Sequence, residues 1–359
     1  MPRMVYMMTN RETSNEVIAF YRDTNGMLTF MGSYPTYGKG TGTRKVSDVT
    51  ANDGIDPLVS QGSLTLSRDA RRLFAVNAGS NSISSFTVAD SGGLVLADVK
   101  PSGGVLPNSV DIFGNLLYVS NVGNAASQSA SNIAGFRVED NGRLIPIPGA
   151  VHYLSTISAQ PAQVLFTPNG SKIVVSEFTT DRLSIFHVNK NGNVTGPIIN
   201  DSNGTRPLGC YFLSSGILLV TEVASSALSS YSMSENGILN VISGSVPNGQ
   251  KTACWVTTTR NDRFAYTSNT LSGTISTYNI DNSGQLTVLG HITSTPVGVS
   301  TGIPIDAGVS KDGLNLYILN GNQGTVSVFK IKDDGGLVNL QVAASAHYPY
   351  FGSQGLAVL

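Results

Sequence analysis

The chain has 359 residues, of which 13% are charged, with 39 glycines and a formal net charge of −1. Gly, Ser, Asn and Thr favour turns and strands, so a protein built from long helices is excluded. The balanced charge offers no footprint for nucleic acid or an anionic membrane, and no apolar run reaches the ~18 residues that would span a bilayer.

The opening "MPRMVYMMTN" reads as a strand from Met4, without the apolar stretch of a signal peptide, so a cytoplasmic location is expected. Along the chain a tight turn followed by an apolar residue then recurs: "NGML" at 25, "GGLV" at 92, "NGRL" at 141, "NGNV" at 191, "NGIL" at 236, "SGQL" at 283 and "GGLV" at 335. Before these turns an alternating run ends in an aromatic: Phe20, Phe86, Phe136, Phe186, Tyr231, Tyr278 or Phe329. Upstream again lies a run such as "LFAVN", "LLYVSN" or "IVVSE" that stops at a polar residue. Period-two alternation and Asn-Gly turns predict antiparallel hairpins, with type I′ geometry at the turns. A further strand precedes each such run. Seven copies of a four-stranded unit predict an all-β, seven-bladed β-propeller occupying residues 1–359 as one domain. The first unit lacks its first strand, while "GSQGLAVL" at 352–359 echoes "VSQGSLTL" at 59–66. Blade 1 is therefore predicted to combine 352–359 with 4–35, closing the ring without an open edge.

The units "SLTLSRDARRLFAVNAGSNSISSFTV" and "AGVSKDGLNLYILNGNQGTVSVFKI" lack the Gly-His and Trp-Asp pairs of WD40 repeats and the double glycine of kelch. They resemble the lactonase family of seven-bladed propellers, which includes phosphogluconolactonases and carboxymuconate cyclase-like proteins, over essentially the whole chain. The resemblance implies histidines at the inner-strand starts, in "PAH" or "PRH", with a Glu and an Arg nearby for hydrolysis. Here those stretches read "PNS" (107–109), "PAQ" (161–163) and "PLG" (207–209), so Ser109, Gln163 and Gly209 stand where imidazoles are expected, and Glu222 matches the family's Glu. Without an imidazole the natural proton acceptor near neutral pH is missing.

In a propeller, the starts of the innermost strands and the ends of the second strands meet on one face around the axis, where sites usually sit. The second-strand ends are Asn10, Asn77, Asn121, Glu177, Glu222, Asn269 and Asn320. The inner-strand starts are Ser63, Ser109, Gln163, Gly209, Ala253, Asp306 and Leu356. Asn side chains there serve either to bridge blades or to hold a ligand. Glu177 and Glu222, on neighbouring blades, are either general acid–base groups or partners of Arg206, Lys251 or Arg11. Among the histidines, His152, His187 and His291 fall on or beside outer strands. His347 lies in "SAHYPYFGSQG", a connection across the mouth with Tyr348, Tyr350 and Phe351, either an apolar substrate surface or packing of the closing segment. Cys210 and Cys254 occupy nearly the same register on adjacent inner strands, and Trp255 borders the channel. No group has metal-ligand spacing.

"YGKGTGTRKV" at 37–46 opens an enlarged connection, residues 37–61, between the first and second units. It does not match a P-loop and no helix follows, so it reads as a lid-like flap bearing Lys39, Arg44 and Lys45. The expected function is a metal- and cofactor-free enzyme, monomeric or a weak homo-oligomer. It would orient a reactive apolar or aromatic small molecule for ring formation or isomerisation, including elimination plus cycloaddition of hetero-Diels–Alder type. Glu177, Glu222, Asp306 and His347 are the candidate proton-transfer groups. Asn10, Asn77, Asn121, Gln163, Arg206, Lys251, Trp255, Asn269, Asn320, Tyr348, Tyr350 and Phe351 are the candidate binding residues. Hydrolysis of a sugar or muconate lactone and a non-catalytic scaffold are the alternatives.

Overall fold

A computed structural model describes residues 3–47, 54–124 and 128–359. Its strands form seven four-stranded antiparallel sheets. Blade 1 contains β1 (Met4–Met8), β2 (Glu16–Arg22), β3 (Leu28–Pro35) and, innermost, the C-terminal β28 (Leu356–Val358). Blade 2 follows with β4 (Leu64–Leu66) to β7 (Leu94–Pro101), and blade 3 with β8 (Pro107–Phe113) to β11 (Leu144–Tyr153). Blade 4 runs from β12 (Pro161–Phe166) to β15 (Val194–Asp201) and blade 5 from β16 (Pro207–Phe212) to β19 (Leu239–Pro247). Blade 6 runs from β20 (Ala253–Thr258) to β23 (Leu286–Thr293) and blade 7 from β24 (Pro304–Val309) to β27 (Leu337–Ala344). The ring closes through β28, with Val358 opposite Val5 and Leu356 opposite Met7.

Second strands such as β5 (Arg72–Asn77) and β25 (Asn315–Asn320) are buried almost throughout because blades cover both their faces. Outer strands alternate instead: β23 is buried at Leu286 and then runs exposed and half-buried in turn. In every blade the pairing between third and fourth strands slips beside the recurring aromatic, as between Ala19 and Phe20 or Val328 and Phe329. Such bulges strengthen the twist that fits flat sheets into a ring.

The blade turns differ from the type I′ expectation. Gly26 has φ 92° and Gly92 has φ 87°, but neither Asn25 nor Ser91 has positive φ. The Gly26 N–H reaches the Asp23 carbonyl at 3.2 Å, so the glycine follows a three-residue turn as its left-handed terminal residue. This positions its carbonyl outward, toward the preceding blade. Tyr6, Tyr118, Tyr266 and Tyr317 donate their hydroxyls to Gly92, Gly192, Gly335 and Gly26 of the next blade at 2.7, 3.0, 2.9 and 2.9 Å. Tyr118→Phe leaves the Gly192 carbonyl unpaired in a buried seam. Its expected cost is about 1–2 kcal/mol, read as a lower urea midpoint at unchanged m-value.

Candidate functional site

The second-strand ends form a buried seam rather than an open ring of ligands. Asn77, Asn121, Glu177, Glu222, Asn269 and Asn320 are all fully buried. Each lies against the connection that leaves the preceding blade. Asn77 accepts from Thr36 Oγ1 (2.7 Å) and Asn15 Nδ2 (3.0 Å) and donates to Ser84 Oγ (2.8 Å) of its own blade. Asn121 donates to the Ser102 carbonyl, and Asn269 accepts from Asn248 Nδ2 at 2.7 Å. A Cβ on Gly302 would stand 2.3 Å from Asn320 Oδ1, so that connection needs a glycine to pass the amide.

Glu177 and Glu222 occupy the same seams. Glu177 accepts from Ser155 N (3.1 Å), Ser155 Oγ, Thr180 Oγ1 (2.8 Å) and Ser184 Oγ (2.5 Å). Glu222 accepts from Gly204 N (2.8 Å), Ser229 Oγ (2.6 Å) and Ser245 Oγ (2.5 Å), with Ser202 and Tyr231 hydroxyls at 3.5 and 3.4 Å. Every partner donates, and in each site one of them is a backbone N–H that can only donate, which suits an acceptor-only carboxylate. No donor is shared between the two carboxylates, and Arg206, Lys251 and Arg11 pair with neither. Arg11 binds Glu16 at 3.0 Å.

Blade 1 departs from this register. Val5 pairs with Phe20, which puts Thr9 at the seam position. Asn10, with φ 51°, turns its amide to the Gly352 carbonyl (3.0 Å) and accepts from Thr41 N (3.1 Å). It therefore ties the closing segment to the inserted connection. The inner ring also shifts from the sequence alignment at two places. A bulge between Ala253 and Trp255 makes Trp255, not Ala253, the counterpart of Gln163, and β28 begins so that Gly355 rather than Leu356 holds that place.

Three of the inner positions link consecutive blades by accepting a backbone N–H. Ser109 Oγ accepts from Val164 N (3.2 Å), Gln163 Oε1 from Cys210 N (2.6 Å) and Asp306 Oδ2 from Leu356 N (2.9 Å). Gly209 has no side chain to offer Val256 N, and Gln61 of the insertion supplies Oε1 instead, at 3.1 Å. A Cβ at 209 would lie 2.4 Å from that same oxygen. The missing imidazole is thus the space through which Gln61 enters.

Residues 54–61 lie across the axis rather than over the mouth as a flap. Gln61 N donates to the Ala162 carbonyl (3.1 Å), Ser60 Oγ to that of Asn108 (2.7 Å), and Trp255 Nε1 to that of Ser60 (2.9 Å). Leu58 is fully buried. Burial pushes the Asp306 carboxyl up to about 8, against two backbone N–H donors and reinforced by Asp56. Trp255 and Tyr348 are buried, and the Tyr348 hydroxyl donates to the Met8 carbonyl at 3.2 Å. Tyr350 and Phe351 remain exposed and pack edge to face at 5.0 Å. His347 leaves the mouth to stack on Phe30 of the outermost strand of blade 1, ring centroids 4.7 Å apart. Of the insertion's cations, Arg44 pairs with Glu12 at 2.6 Å, while Lys39 and Arg44 are exposed. Lys251 is exposed between blades 5 and 6. Both thiols are buried, and burial raises the Cys210 thiol to about 12.

An open groove of about 520 Å³ lies on the same face, lined by Ser47, Gln160, Phe178, Thr179, Asp181, Thr205 and Arg206. The Arg206 guanidinium sits 5.6 Å from the centre of the Phe178 ring. Its backbone N–H donates to Asp181 Oδ1 at 2.6 Å, and both residues have left-handed backbones (φ 57° and 56°). Gln160 Nε2 holds the Ser47 carbonyl at 2.9 Å, joining the insertion to the wall. Of these only Arg206 was singled out from the sequence. Asp181 and Phe178 follow a strand end in "SEFTTD", and nothing in the local pattern marks them.

The sequence profile of the family described as "Lactonase, 7-bladed beta-propeller" matches residues 2–151 and 256–351, so the chain belongs to that family. No curated protein matches. By shape the chain is similar to the periplasmic gluconolactonase of Pseudomonas aeruginosa, with TM-score 0.76 and 18% identity over 100% of this chain and 99% of that one. It is similar also to a Lactobacillus plantarum protein, with TM-score 0.75 and 16% identity over 100% and 99%. Virginiamycin B lyase of Staphylococcus aureus has TM-score 0.56 and 14% identity over 81% and 87%. Among the described residues no helix is long and apolar enough to cross a membrane.

Glu222→Gln keeps one oxygen for the Gly204 N–H and turns the other into an NH2 that the Ser245 hydroxyl must accept from, so hydrogen bonds to a charged group become neutral ones. The expected result is a loss of roughly 1–2 kcal/mol in unfolding free energy, measured by urea denaturation.

Proposed function

We propose that the protein opens a small cyclic ester, a lactone, in the groove between blades 4 and 5. The observation that carries this reading is the position of the groove. Six of its seven lining residues lie between 152 and 255, the stretch that the family profile leaves unmatched, while the rest of the chain keeps the lactonase pattern. Family membership and the likeness in shape to a gluconolactonase support the substrate class. The groove supplies a carboxylate, a guanidinium and an aromatic face side by side.

In this reading the ester ring lies on Phe178. Asp181, whose Oδ1 is tied to the Arg206 N–H, takes a proton from water through Oδ2. The water oxygen bonds to the acyl carbon, and the carbonyl oxygen becomes an oxyanion facing the Arg206 guanidinium. The ring C–O bond then breaks and the proton passes to the departing alkoxide, leaving a hydroxy acid. A lactone suits an ordinary carboxylate base because its leaving group stays tethered and its carbonyl is already reactive.

A second reading, ring closure instead of ring opening, rests on Ser109, Gln163 and Gly209. With no imidazole at these three positions the usual water-activating base is missing there, so orientation of a reactive substrate would carry the acceleration.

The test is a panel of sugar, muconate and aliphatic lactones followed by acid release at constant pH, with product analysis in both directions. Asp181→Asn is expected to lower kcat/KM by about 10²–10³-fold, and Arg206→Ala by about 10²-fold, with unfolding midpoints little changed. Unaltered turnover in both variants would remove the groove from the reaction. Formation of a ring from an open substrate would replace hydrolysis with closure.

A further inference from the structure

On the face opposite the Arg206 groove, the turns that join first to second strands repeat one motif. A Ser or Thr is followed two residues on by Asn or Asp, as in "SRDAR" (67–71), "TPNGS" (167–171) and "TRNDR" (259–263). The bonds of the turn are the same in blades 4 and 6. Thr167 Oγ1 donates to Asn169 Oδ1 and Thr259 Oγ1 to Asn261 Oδ1, each at 2.8 Å. The N–H groups of Ser171 and Arg263 close on those same oxygens at 3.1 and 3.3 Å. The turn therefore forms around Pro168 and Ser171 as well as around Arg260 and Arg263, and it does not need the arginines.

Beside the blade 6 turn, the seam with blade 7 opens into a groove of about 570 Å³ whose walls include Arg260, Arg263, Leu314, Ile331, Lys332 and Asp333. Most of the nearby acids are engaged elsewhere. Asp262 accepts from Ser214 N (2.7 Å) and Ser214 Oγ (2.6 Å) of blade 5. Asp312, also on the wall, is held by Arg22 (2.8 Å) and Ser310 Oγ (2.6 Å). Lys332 meets Asp334 at 3.3 Å. Arg260 and Arg263 meet no carboxylate among the described residues, yet both are held in place. Arg260 Nη1 donates to the Lys311 carbonyl across the seam at 2.7 Å, and the Arg263 guanidinium lies 5.3 Å from the centre of the Phe264 ring. Leu314 is 54% exposed and Ile331 half-buried, which gives the groove an aliphatic wall.

The equivalent places in the other blades lack this combination. Arg68, the counterpart of Arg260 in blade 2, is spent on the Pro168 carbonyl (2.7 Å) and on the face of Phe113, 4.5 Å away. The counterpart groove between the blade 4 and blade 5 turns holds about 320 Å³ and has Pro168 and Ser171 where the arginines stand, with Lys172 as its cation.

We propose that the groove between blades 6 and 7 binds a small organic anion with a doubly charged head, a phosphate ester or a compact dicarboxylate. The head sits on the forks of Arg260 and Arg263, and the carbon body lies against Leu314 and Ile331. A guanidinium matches carboxylate and phosphate oxygens two at a time. One exposed ion pair is worth little in water, so two fixed arginines and an apolar wall acting together are what make the site selective. Asp333 confines the ligand's negative charge to the arginine end.

The experiment is isothermal titration calorimetry of the full chain with inorganic phosphate, malonate and n-butyl phosphate, at constant ionic strength and mildly alkaline pH, where phosphate is doubly charged. One-site saturation is expected, with n-butyl phosphate several-fold tighter than inorganic phosphate. Arg260→Ala combined with Arg263→Ser should weaken binding at least tenfold while the unfolding midpoint without ligand stays nearly unchanged, and Leu314→Ser should remove only the advantage of the butyl chain. Saturation by phosphate alone assigns a phosphate ester, and by malonate alone a dicarboxylate. No saturable heat with any of the three anions would overturn the proposal, as would equal affinity in the double variant. Binding that is lost in Arg206→Ala and kept in the double variant would place the anion in the other groove and overturn it too. The readout is binding rather than turnover, so this site and the lactone reading stand or fall separately.

Discussion

The propeller depends on hydrogen bonds made across the seams between blades. A four-stranded blade has two faces and cannot bury either by itself, so each is stable only against its neighbours, and the last must be joined to the first. The seams are bonded at three depths. Tyrosines such as Tyr118 reach the turn glycine of the next blade at the rim. Asn or Glu at the second-strand ends grips the connection from the preceding blade near the mouth. Ser109, Gln163 and Asp306 accept the next blade's N–H around the axis. A composition poor in charge and rich in hydroxyls and amides follows from this design. Neutral groups pair in a dry seam at far lower cost than ions would.

The same constraint explains the two carboxylates. Glu177 and Glu222 sit where hydroxyls and N–H groups converge, and a carboxylate in such surroundings is a structural acceptor. Their presence in neighbouring blades marks a local change of donor pattern. The two glutamates and Gly209 lie in blades 4 and 5, and the groove lies between those blades.

Gly209 and Gln61 are coupled, since a Cβ at 209 would stand where Gln61 Oε1 meets the Val256 N–H. Without a side chain at 209, Val256 N would go unbonded in the inner ring. An insertion that would otherwise be surplus loop brings Gln61 across the axis to fill the vacancy, and in doing so it closes the channel. On the open face beside it, Arg206 and Asp181 meet on two left-handed residues.

The repeat, its seven copies and the closure of blade 1 by residues 352–359 were determined by the sequence alone. Strand periodicity, turn glycines and recurring aromatics are local signals, and each blade states them again. The strand-end and inner-strand residues were also legible as positions, apart from Thr9, Trp255 and Gly355, where a bulge or a short strand shifts the register by one or two places. What those side chains do was decided only by the tertiary structure. Asn77 looks alike in sequence whether it faces a ligand or Thr36 of another blade, since its partners come from a segment forty residues away. The path of residues 54–61 is likewise invisible locally, because Gln61 and Val256 are 195 residues apart and meet only after the ring has closed.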